Sequence, residues 1–349
     1  MLSLDILAIL NELKVIEDCK IDNIYQFKNI FNLRIRCPGK VYNLLIEPEV
    51  RVHFTKMVLD WKATSSAMVL RQHIRNKRIE KIQQVKFDRI IFIDIKDGYR
   101  LVIELLKRGN LILLKDNRII FSTKYIEMKD RSIKPGLTYK LPPGSPENPL
   151  ECDKEDLLSF LRKEDLIIKS LIKLGLGKKY AKEILYRKSI DEKADPTKLD
   201  NDILMSIIDE IIQMLTKVKR GDIEPYVYYK NSTYYDYSPI PLYHINEFKT
   251  KKFSNFSGAL DLYFSSKEGL RLSETIDKLQ EAKAKLEKRI EQQKRLIEEY
   301  QKKAKKYQEL GFKIYENLSR IETLLNTLRI ARKEKNLTWK EIAKKIDEA

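Results

Sequence analysis

The chain has 349 residues, and its 68 Lys and Arg side chains outnumber its 51 Asp and Glu side chains, which gives a formal net charge of +17. This length suits two or three domains, and the charge favours a polyanionic partner, either nucleic acid or an anionic membrane surface. A surface rich in Lys and Glu, as thermophile proteins often have, is the alternative but accounts for less of the excess. No apolar run approaches the roughly 20 residues of a membrane span, and the amino terminus does not have the pattern of a signal peptide. We therefore expect a cytoplasmic protein without a membrane anchor.

The cysteines and histidines do not predict a disulfide framework or a metal site. The cysteines are an odd and scattered set: Cys19, Cys37 and Cys152. The histidines are far apart in the chain: His53, His73 and His244. Neither set has a familiar metal-ligand spacing, and no nucleotide-binding, kinase or hydrolase motif occurs. We expect no cofactor, no metal and no catalytic centre.

Residues 1–150 predict a β-rich domain. An amphipathic helix over 2–16 precedes two hairpin candidates, 21–37 and 41–54, and a helix near 64–79. The clearest strand-like runs then follow in order: 87–95, 99–106, 111–115 and 118–122. The pairs that separate these runs tolerate positive φ, so a tight antiparallel meander is predicted. The proline-rich stretch 134–149 marks a domain boundary.

Three arginines recur on the predicted helix 64–79. Arg71, Arg75 and Arg78 are spaced i, i+4 and i+7, which places them on one helical face. Such a stripe is either a surface for nucleic acid or a solvated face, and the spacing alone leaves both interpretations open.

The dipeptide Asp88-Arg89 opens the apolar run 87–95. Successive strand residues point to opposite faces, so these two charges are predicted to find separate partners. They belong either to a structural network or to a ligand site, and Arg89 is chemically suited to a phosphate or a base edge.

Residues 151–222 predict a helical domain that contains a helix-hairpin-helix turn. Gly175 and Gly177 permit a tight turn with amide groups at a helix N-terminus, and Lys178 and Lys179 follow directly. This arrangement is typical of a phosphate-binding hairpin, although similar turns also serve only to hold two helices together.

The last third of the chain predicts a connector and an arm. Residues 223–266 are rich in aromatic side chains, which are either stacking platforms for bases or half-buried strand tyrosines. A heptad pattern over 267–310 predicts a long coiled-coil helix, which would pair in a homodimer or within a longer chain. Residues 311–349 predict a small helical middle segment.

Eight blocks of residues follow one another along the chain: Leu4-Asp5-Ile6-Leu7 with Glu12-Leu13 and Ile21-Asp22-Asn23-Ile24-Tyr25-Gln26; Arg51-Val52-His53-Phe54-Thr55; Met68 to Ile74; Phe87-Asp88-Arg89-Ile90-Ile91; Val102-Ile103-Glu104-Leu105 with Gly109 to Leu113; Pro135-Gly136 with Tyr139 and Pro142-Pro143; Leu174-Gly175-Leu176-Gly177 with Tyr180-Ala181; and Ala259 to Phe264 ahead of the heptads. In this order they resemble the N-terminal part of the NFACT family, the tailing factors of ribosome-associated quality control. No single block is decisive, but their common order is specific.

The resemblance implies an α+β multidomain fold. Its β-rich N-terminal domain would be similar to that of formamidopyrimidine-type DNA glycosylases, and a helix-hairpin-helix domain and a coiled coil would follow. It also implies tRNA handling by Asp5, Asp88 and Arg89, with Glu104-Leu105-Leu106 as a neighbouring segment. The implied partners are tRNA and the rRNA of a large ribosomal subunit that carries stalled peptidyl-tRNA. We extend the predicted tRNA contact to the stripe of Arg71, Arg75 and Arg78. The family recruits aminoacyl-tRNA, often alanyl, to add a C-terminal tail to the stalled peptide.

Other functions compete with this interpretation. A DNA glycosylase-like enzyme or a general nucleic-acid-binding protein would share the fold and the charge. An adhesin that binds matrix protein is a further class, which the missing secretion signal disfavours. The chain begins Met-Leu-Ser, not with the Pro-Glu pair of the glycosylases, so the resemblance does not carry over their chemistry. The family's C-terminal RNA-binding domain and its returning coiled-coil strand lie outside this sequence.

Overall fold

A computed structural model describes residues 1–144, 146–231, 233–335 and 337–347, with the side chains of residues 267–284 outside the description. The protein is a mixed helix-and-sheet protein with a β-rich N-terminal part, as the sequence predicted. Two compact units divide it, Met1–Leu270 and Arg271–Ala349. None of the described helices has both the length and the apolar character that crossing a membrane would require.

The first layer consists of helix α1, Ser3–Leu13, and a four-stranded antiparallel sheet. The strands follow one another in chain order: β1 Lys20–Phe27, β2 Ile30–Cys37, β3 Lys40–Glu47 and β4 Arg51–Phe54. Helix α1 is apolar on nearly every side and is enclosed by the core, with Leu4, Ile9 and Leu13 among its buried residues. Both predicted hairpins are therefore confirmed as parts of one sheet.

A disulfide joins Cys19 to Cys37, with an S–S distance of 2.03 Å. The prediction that the cysteines form no disulfide was wrong. Lys20 pairs with Arg36 in the antiparallel register of β1 and β2, so the two cysteines face each other at the open end of this hairpin. Their separation of 18 residues gives no hint of that proximity, which exists only once the hairpin has formed.

The second layer is helix α2, Ser65–Ile74, and a five-stranded antiparallel meander. Its strands are β5 Ile79–Gln84, β6 Ile90–Ile95, β7 Tyr99–Glu104, β8 Leu111–Lys115 and β9 Arg118–Ser122. Two of the three tight turns form as predicted, since Asp97 and Gly98, and likewise Asp116 and Asn117, adopt positive φ. The predicted turn at Gly109-Asn110 was wrong: a six-residue connection joins β7 to β8, and its positive φ falls on Arg108. The strand β5 was not predicted, because the expected helix 64–79 covered its first residue.

A short hairpin and an irregular segment cover the end of the meander. The hairpin consists of β10, Ile126–Glu127, and β11, Ser132–Ile133. The segment after it is held to β9 by backbone hydrogen bonds from Ile119 N to Leu137 O (2.8 Å) and from Tyr139 N to Asn117 O (3.0 Å).

Four helices follow, as predicted: α3 Lys154–Leu161, α4 Ile167–Leu171, α5 Gly177–Arg187 and α6 Asn201–Lys219. A wider helical turn, Ile172–Leu176, leads from α4 towards α5. Gly175 and Gly177 adopt φ values of 98° and 71° there, a region that a side chain would strain.

A three-stranded sheet precedes the long helix. Its central strand is β12, Tyr226–Lys230, flanked by β13, Thr233–Ser238, and β14, Lys249–Lys252. Tyr228, Tyr237 and Tyr263 are buried, whereas Tyr235 and Tyr243 are exposed, so part of this aromatic-rich region belongs to the core.

Helix α7, Phe256–Glu316, begins eleven residues before the predicted arm and continues through Gly311. One glycine costs a helix about 1 kcal/mol, which is too little to end it. The carboxylate of Glu12 on α1 accepts hydrogen bonds from the amides of Phe256 and Ser257 and so caps α7. The predicted heptad positions 272, 276, 279 and 283 lie outside the described side chains, and the later ones, Leu286 to Tyr307, are exposed. Helices α8, Leu318–Lys335, and α9, Trp339–Asp347, complete the second unit.

Candidate nucleic-acid interface

Arg89 lies in the tight turn between β5 and β6, not within a strand as predicted. Backbone hydrogen bonds from Val85 N to Ile90 O and from Asp88 N to Val85 O, both 3.0 Å, close this turn. Lys86 adopts a positive φ of 50° within it, so the chain reverses before β6 begins. The Arg89 side chain is half-buried, and its guanidinium has no hydrogen bond or ion pair within the described part of the chain.

Asp88 holds the turn that carries Arg89. Its side chain is buried, and Oδ1 accepts a hydrogen bond from the Arg89 backbone N–H at 2.7 Å. The Asp88 carbonyl accepts from Gln84 Nε2 at 2.8 Å, and Leu105 N donates to Arg89 O at 2.8 Å. The backbone of Asp88 and Arg89 is therefore fixed, and the 104–106 segment is hydrogen-bonded to the backbone of Arg89.

Asp5 is completely buried on α1. Its Oδ2 accepts from Leu2 N at 2.7 Å, and its Oδ1 accepts from the Tyr180 hydroxyl on α5. Burial, and then the charge of Asp5, raise the pKa of Tyr180 well above its usual range, so the hydroxyl stays protonated and donates. Asp5 thus fastens α1 to α5 and does not reach the surface.

Lys179 is an internal cation. Its Nζ donates to Tyr237 O at 2.6 Å and lies 3.3 Å from Asp236 Oδ1 and 3.8 Å from Asp5 Oδ1. Its side chain is 11% exposed, so its charge is used inside the protein and not at a phosphate. Lys178, the other lysine predicted at this hairpin, is exposed.

The glycine turn packs against the Arg89 turn and the start of α1. A Cβ on Gly175 would lie 2.9 Å from Phe87 Cδ1 and 3.0 Å from Phe87 O, and one on Gly177 would lie 2.8 Å from Leu2 Cδ2. Glycine is therefore needed for close approach as well as for conformation. Residues predicted from three distant parts of the chain meet here: Asp5, Asp88-Arg89 and the hairpin.

Glu104 is buried at the end of β7, with 1% exposure. Its carboxylate forms an ion pair with the Arg131 guanidinium and accepts from the Tyr139 hydroxyl at 2.8 Å. Burial, and then the charge of Glu104, raise the pKa of Tyr139. The Glu104 carboxylate is therefore engaged inside the protein by Arg131 and Tyr139, and the direct contact with a ligand that was predicted for it does not fit this burial.

The predicted helical stripe of arginines does not form on a helix, because α2 ends at Ile74. Instead the three guanidinium groups line the edge strand β1 and its approach, each donating to a backbone carbonyl. Arg71 Nε donates to Ile24 O (2.6 Å), Arg75 Nε to Asp22 O (3.1 Å) and Arg78 Nη1 to Asp18 O (2.8 Å). Arg75 and Arg78 remain exposed, so a fixed row of cations exists, built by a strand edge.

Arg131, Tyr139 and Tyr180 form part of these contacts without having been predicted as site residues. Tyr139 and Tyr180 belong to two of the ordered blocks, and that position was the only available signal. Arg131 lies in a polar stretch that resembles a solvated loop, so nothing in the sequence indicated its buried partner.

The first unit thus combines a β-rich part with a helical segment whose glycine turn packs against it. The family model described as NFACT N-terminal and middle domains matches residues 3–348 of this chain. The chain therefore belongs to the NFACT family, which confirms the resemblance.

Individual relatives agree with this membership. An archaeal Rqc2 homolog, aRqcH of Methanocaldococcus jannaschii, is 30% identical over 302 residues, covering 81% of this chain and 43% of the relative. The ribosome quality control complex subunit 2 of Saccharomyces cerevisiae is 31% identical over 146 residues, covering 40% of this chain and 14% of the relative. This chain thus spans less than half the length of either relative.

A solved structure shares the fold. The crystal structure of the fibrinogen binding protein from Staphylococcus aureus matches with a TM-score of 0.61 and 23% identity, covering 74% of this chain and 97% of that one.

Proposed function

We propose that this chain is the tRNA-handling part of a ribosome-associated quality control factor. It would bind obstructed large ribosomal subunits that still carry peptidyl-tRNA and recruit aminoacyl-tRNA, alanyl-tRNA in particular, for template-independent tailing of the stalled peptide. Family membership supports this proposal, as does the yeast relative, which is named as a ribosome quality control complex subunit.

The observation that carries the proposal is the half-buried Arg89 guanidinium, which has no ion-pair partner among the residues that the structure describes. A protein gains nothing for its own stability from a partly desolvated cation that is left unpaired. An RNA phosphate or base edge would supply the missing acceptor. Asp88 and the glycine turn would hold the guanidinium in place. The exposed Arg75 and Arg78, which lie towards the opposite end of β5, would contact other phosphates of the same RNA.

The remaining parts would serve the same function without catalysis by this chain. Peptide transfer would be carried out by the ribosome, in the cytoplasm. The α4–α5 turn would act as a helix-hairpin-helix whose exposed Lys178 contacts phosphate. The exposed seam of α7 would form a coiled coil with a second copy or with a later part of a longer chain.

Replacing Arg89 by alanine tests the proposal. The Arg89→Ala variant should bind tRNA about tenfold or more weakly, because it loses a positioned guanidinium contact, while the thermal unfolding midpoint stays unchanged. Equilibrium binding at one fixed salt concentration is the measurement.

Arg162→Ala is the matched control, since Arg162 is an exposed arginine that donates to Asn201 Oδ1 at 2.7 Å and lies at the end of α3. Its variant should bind like the wild type. Equal affinity of Arg89→Ala and wild type would contradict the assignment of Arg89.

A further inference from the structure

An open pocket of about 280 Å³ lies between the turn of the β10–β11 hairpin and the segment after it. Met128, Lys129 and Asp130 contribute from the hairpin, and Leu137 and Lys140 contribute from the segment. Arg131 also lines this pocket, and its guanidinium forms the ion pair with the buried Glu104.

The two walls of the pocket are held in a fixed relation by Arg131. Its Nε donates to the Lys140 carbonyl on the opposite wall at 2.8 Å, while its guanidinium is paired with Glu104 beneath. Backbone hydrogen bonds between Met128 and Arg131 close the hairpin. The buried ion pair therefore sets the width of an exposed pocket.

The lining is chemically mixed in a way that suits a nucleotide. Met128 and Leu137 are apolar but 45% and 43% exposed, so each leaves a face that a planar base could cover. Lys129 and Lys140 are exposed and have no ion-pair partner in the described part of the chain, so they are available to phosphate oxygens. The Asp130 carboxylate can accept from a base amino group.

A duplex does not fit this arrangement, because its bases are stacked inside. An unpaired base can leave the stack, place its faces against apolar side chains and present its edge to polar groups. A bare phosphate would leave the two apolar walls unused and would meet Asp130.

We propose that this pocket binds one unpaired nucleotide of the tRNA, with Glu104 and Arg131 as positioning residues. This inference rests on the proposed function. It gives the buried Glu104 a role in tRNA handling that needs no direct contact.

The test compares variants by binding of unfractionated deacylated tRNA and by chemical probing of its unpaired nucleotides. Leu137→Ala should weaken binding about fivefold and leave the salt dependence unchanged, since it removes apolar contact only. A Lys129→Ala/Lys140→Ala double variant should weaken binding and reduce the salt slope by about two. In wild type one unpaired nucleotide should be protected, and Leu137→Ala and Glu104→Gln should both expose it.

Lys134→Ala is the control, because Lys134 is an exposed lysine on the same segment that is paired with Glu127 and lies outside the pocket. The Lys134→Ala variant should bind tRNA with wild-type affinity and protect the same unpaired nucleotide. If Arg89→Ala weakens binding but the pocket variants bind and protect like wild type, this inference fails and the proposed function stands. If wild type does not bind tRNA, both fail. Loss of affinity in the lysine variant without any protected nucleotide would also overturn the pocket, leaving a phosphate patch.

Discussion

The buried acids of the first unit anchor donors that come from distant parts of the chain. The Asp5 carboxylate accepts a hydrogen bond from the Tyr180 hydroxyl. The Glu104 carboxylate forms an ion pair with Arg131 and accepts a hydrogen bond from the Tyr139 hydroxyl. A buried carboxylate is costly unless it is paired and hydrogen-bonded, so these contacts fix which segments can meet. Arg89 differs from them because no acid among the described residues pairs with its guanidinium.

Glu183 provides the clearest case of such an anchor. Its carboxylate is buried on α5 and accepts from Arg187 Nε at 2.7 Å, from His244 Nδ1 at 2.7 Å and from Tyr243 N at 2.8 Å. Burial by itself would raise the pKa of Glu183, but the hydrogen bonds from His244 and Arg187 outweigh it and hold the pKa below its ordinary value.

This depressed pKa predicts a pH-dependent stability. The ionised Glu183 contributes fully above its ordinary pKa of 4.5, and the contribution is lost as pH falls through the lower folded value. Glu183→Gln should therefore unfold with a free energy about 3 kcal/mol lower at pH 7, and the gap to wild type should narrow below about pH 4.5. Urea unfolding of the variant and of the wild type at pH 7 and below about pH 4.5 measures this difference in free energy. A difference that stays constant down to about pH 3 would contradict the prediction.

The turn between α4 and α5 is one of the elements by which the helical segment contacts the β-rich part, together with α5 and α6. It has no side chains at the two glycines, so the backbone itself packs on Phe87 and Leu2. The position of the Arg89 turn therefore depends on this contact as well as on the meander.

Two glycine substitutions test the turn against a neutral position. Gly175→Ala should lower the free energy of unfolding by about 2 kcal/mol or more, because a Cβ would collide with Phe87 at a φ of 98°. Gly311→Ala should instead favour α7 by about 1 kcal/mol, since nothing lies within 4 Å of that Cβ. Thermal unfolding followed by circular dichroism compares them, and equal effects of the two changes would show that the close approach is unimportant.

The whole chain carries its surplus of 17 positive charges partly as exposed arginines along β1 and partly on the helices. Acids such as Asp22 neutralise some of them, with Arg36 Nη2 only 2.7 Å from Asp22 Oδ1. The remaining surplus makes association with a polyanion favourable and sensitive to ionic strength.

Binding of tRNA should accordingly weaken steeply as salt rises, because each phosphate contact releases counterions. For about five contacts the logarithm of the association constant should fall with a slope of about −4 to −5 against the logarithm of salt concentration. A titration between low and moderate salt measures the slope, and a flat response would argue against nucleic acid as the partner.

The amino-acid sequence by itself was sufficient to predict most of the helices and strands. Helix α1 and the strands β1 to β4 followed from apolar periodicity, and the meander followed from turn pairs such as Asp97-Gly98. These signals are local, because a side-chain period and a turn preference depend on a few neighbouring residues. The order of the eight blocks gave the family for the same reason, since it needs no knowledge of contacts.

The tertiary structure alone decided which charged side chains are buried and which residues they pair with. The sequence could name Asp5, Glu104 and Lys179 as charged, but their partners Tyr180, Arg131 and Tyr237 lie 175, 27 and 58 residues away. The disulfide of Cys19 and the end of α2 at Ile74 were likewise fixed by the hairpin and the edge of β1. A charge has the same letter whether it is buried or exposed, and only contacts between distant segments determine whether it stabilises the fold or remains available for a ligand.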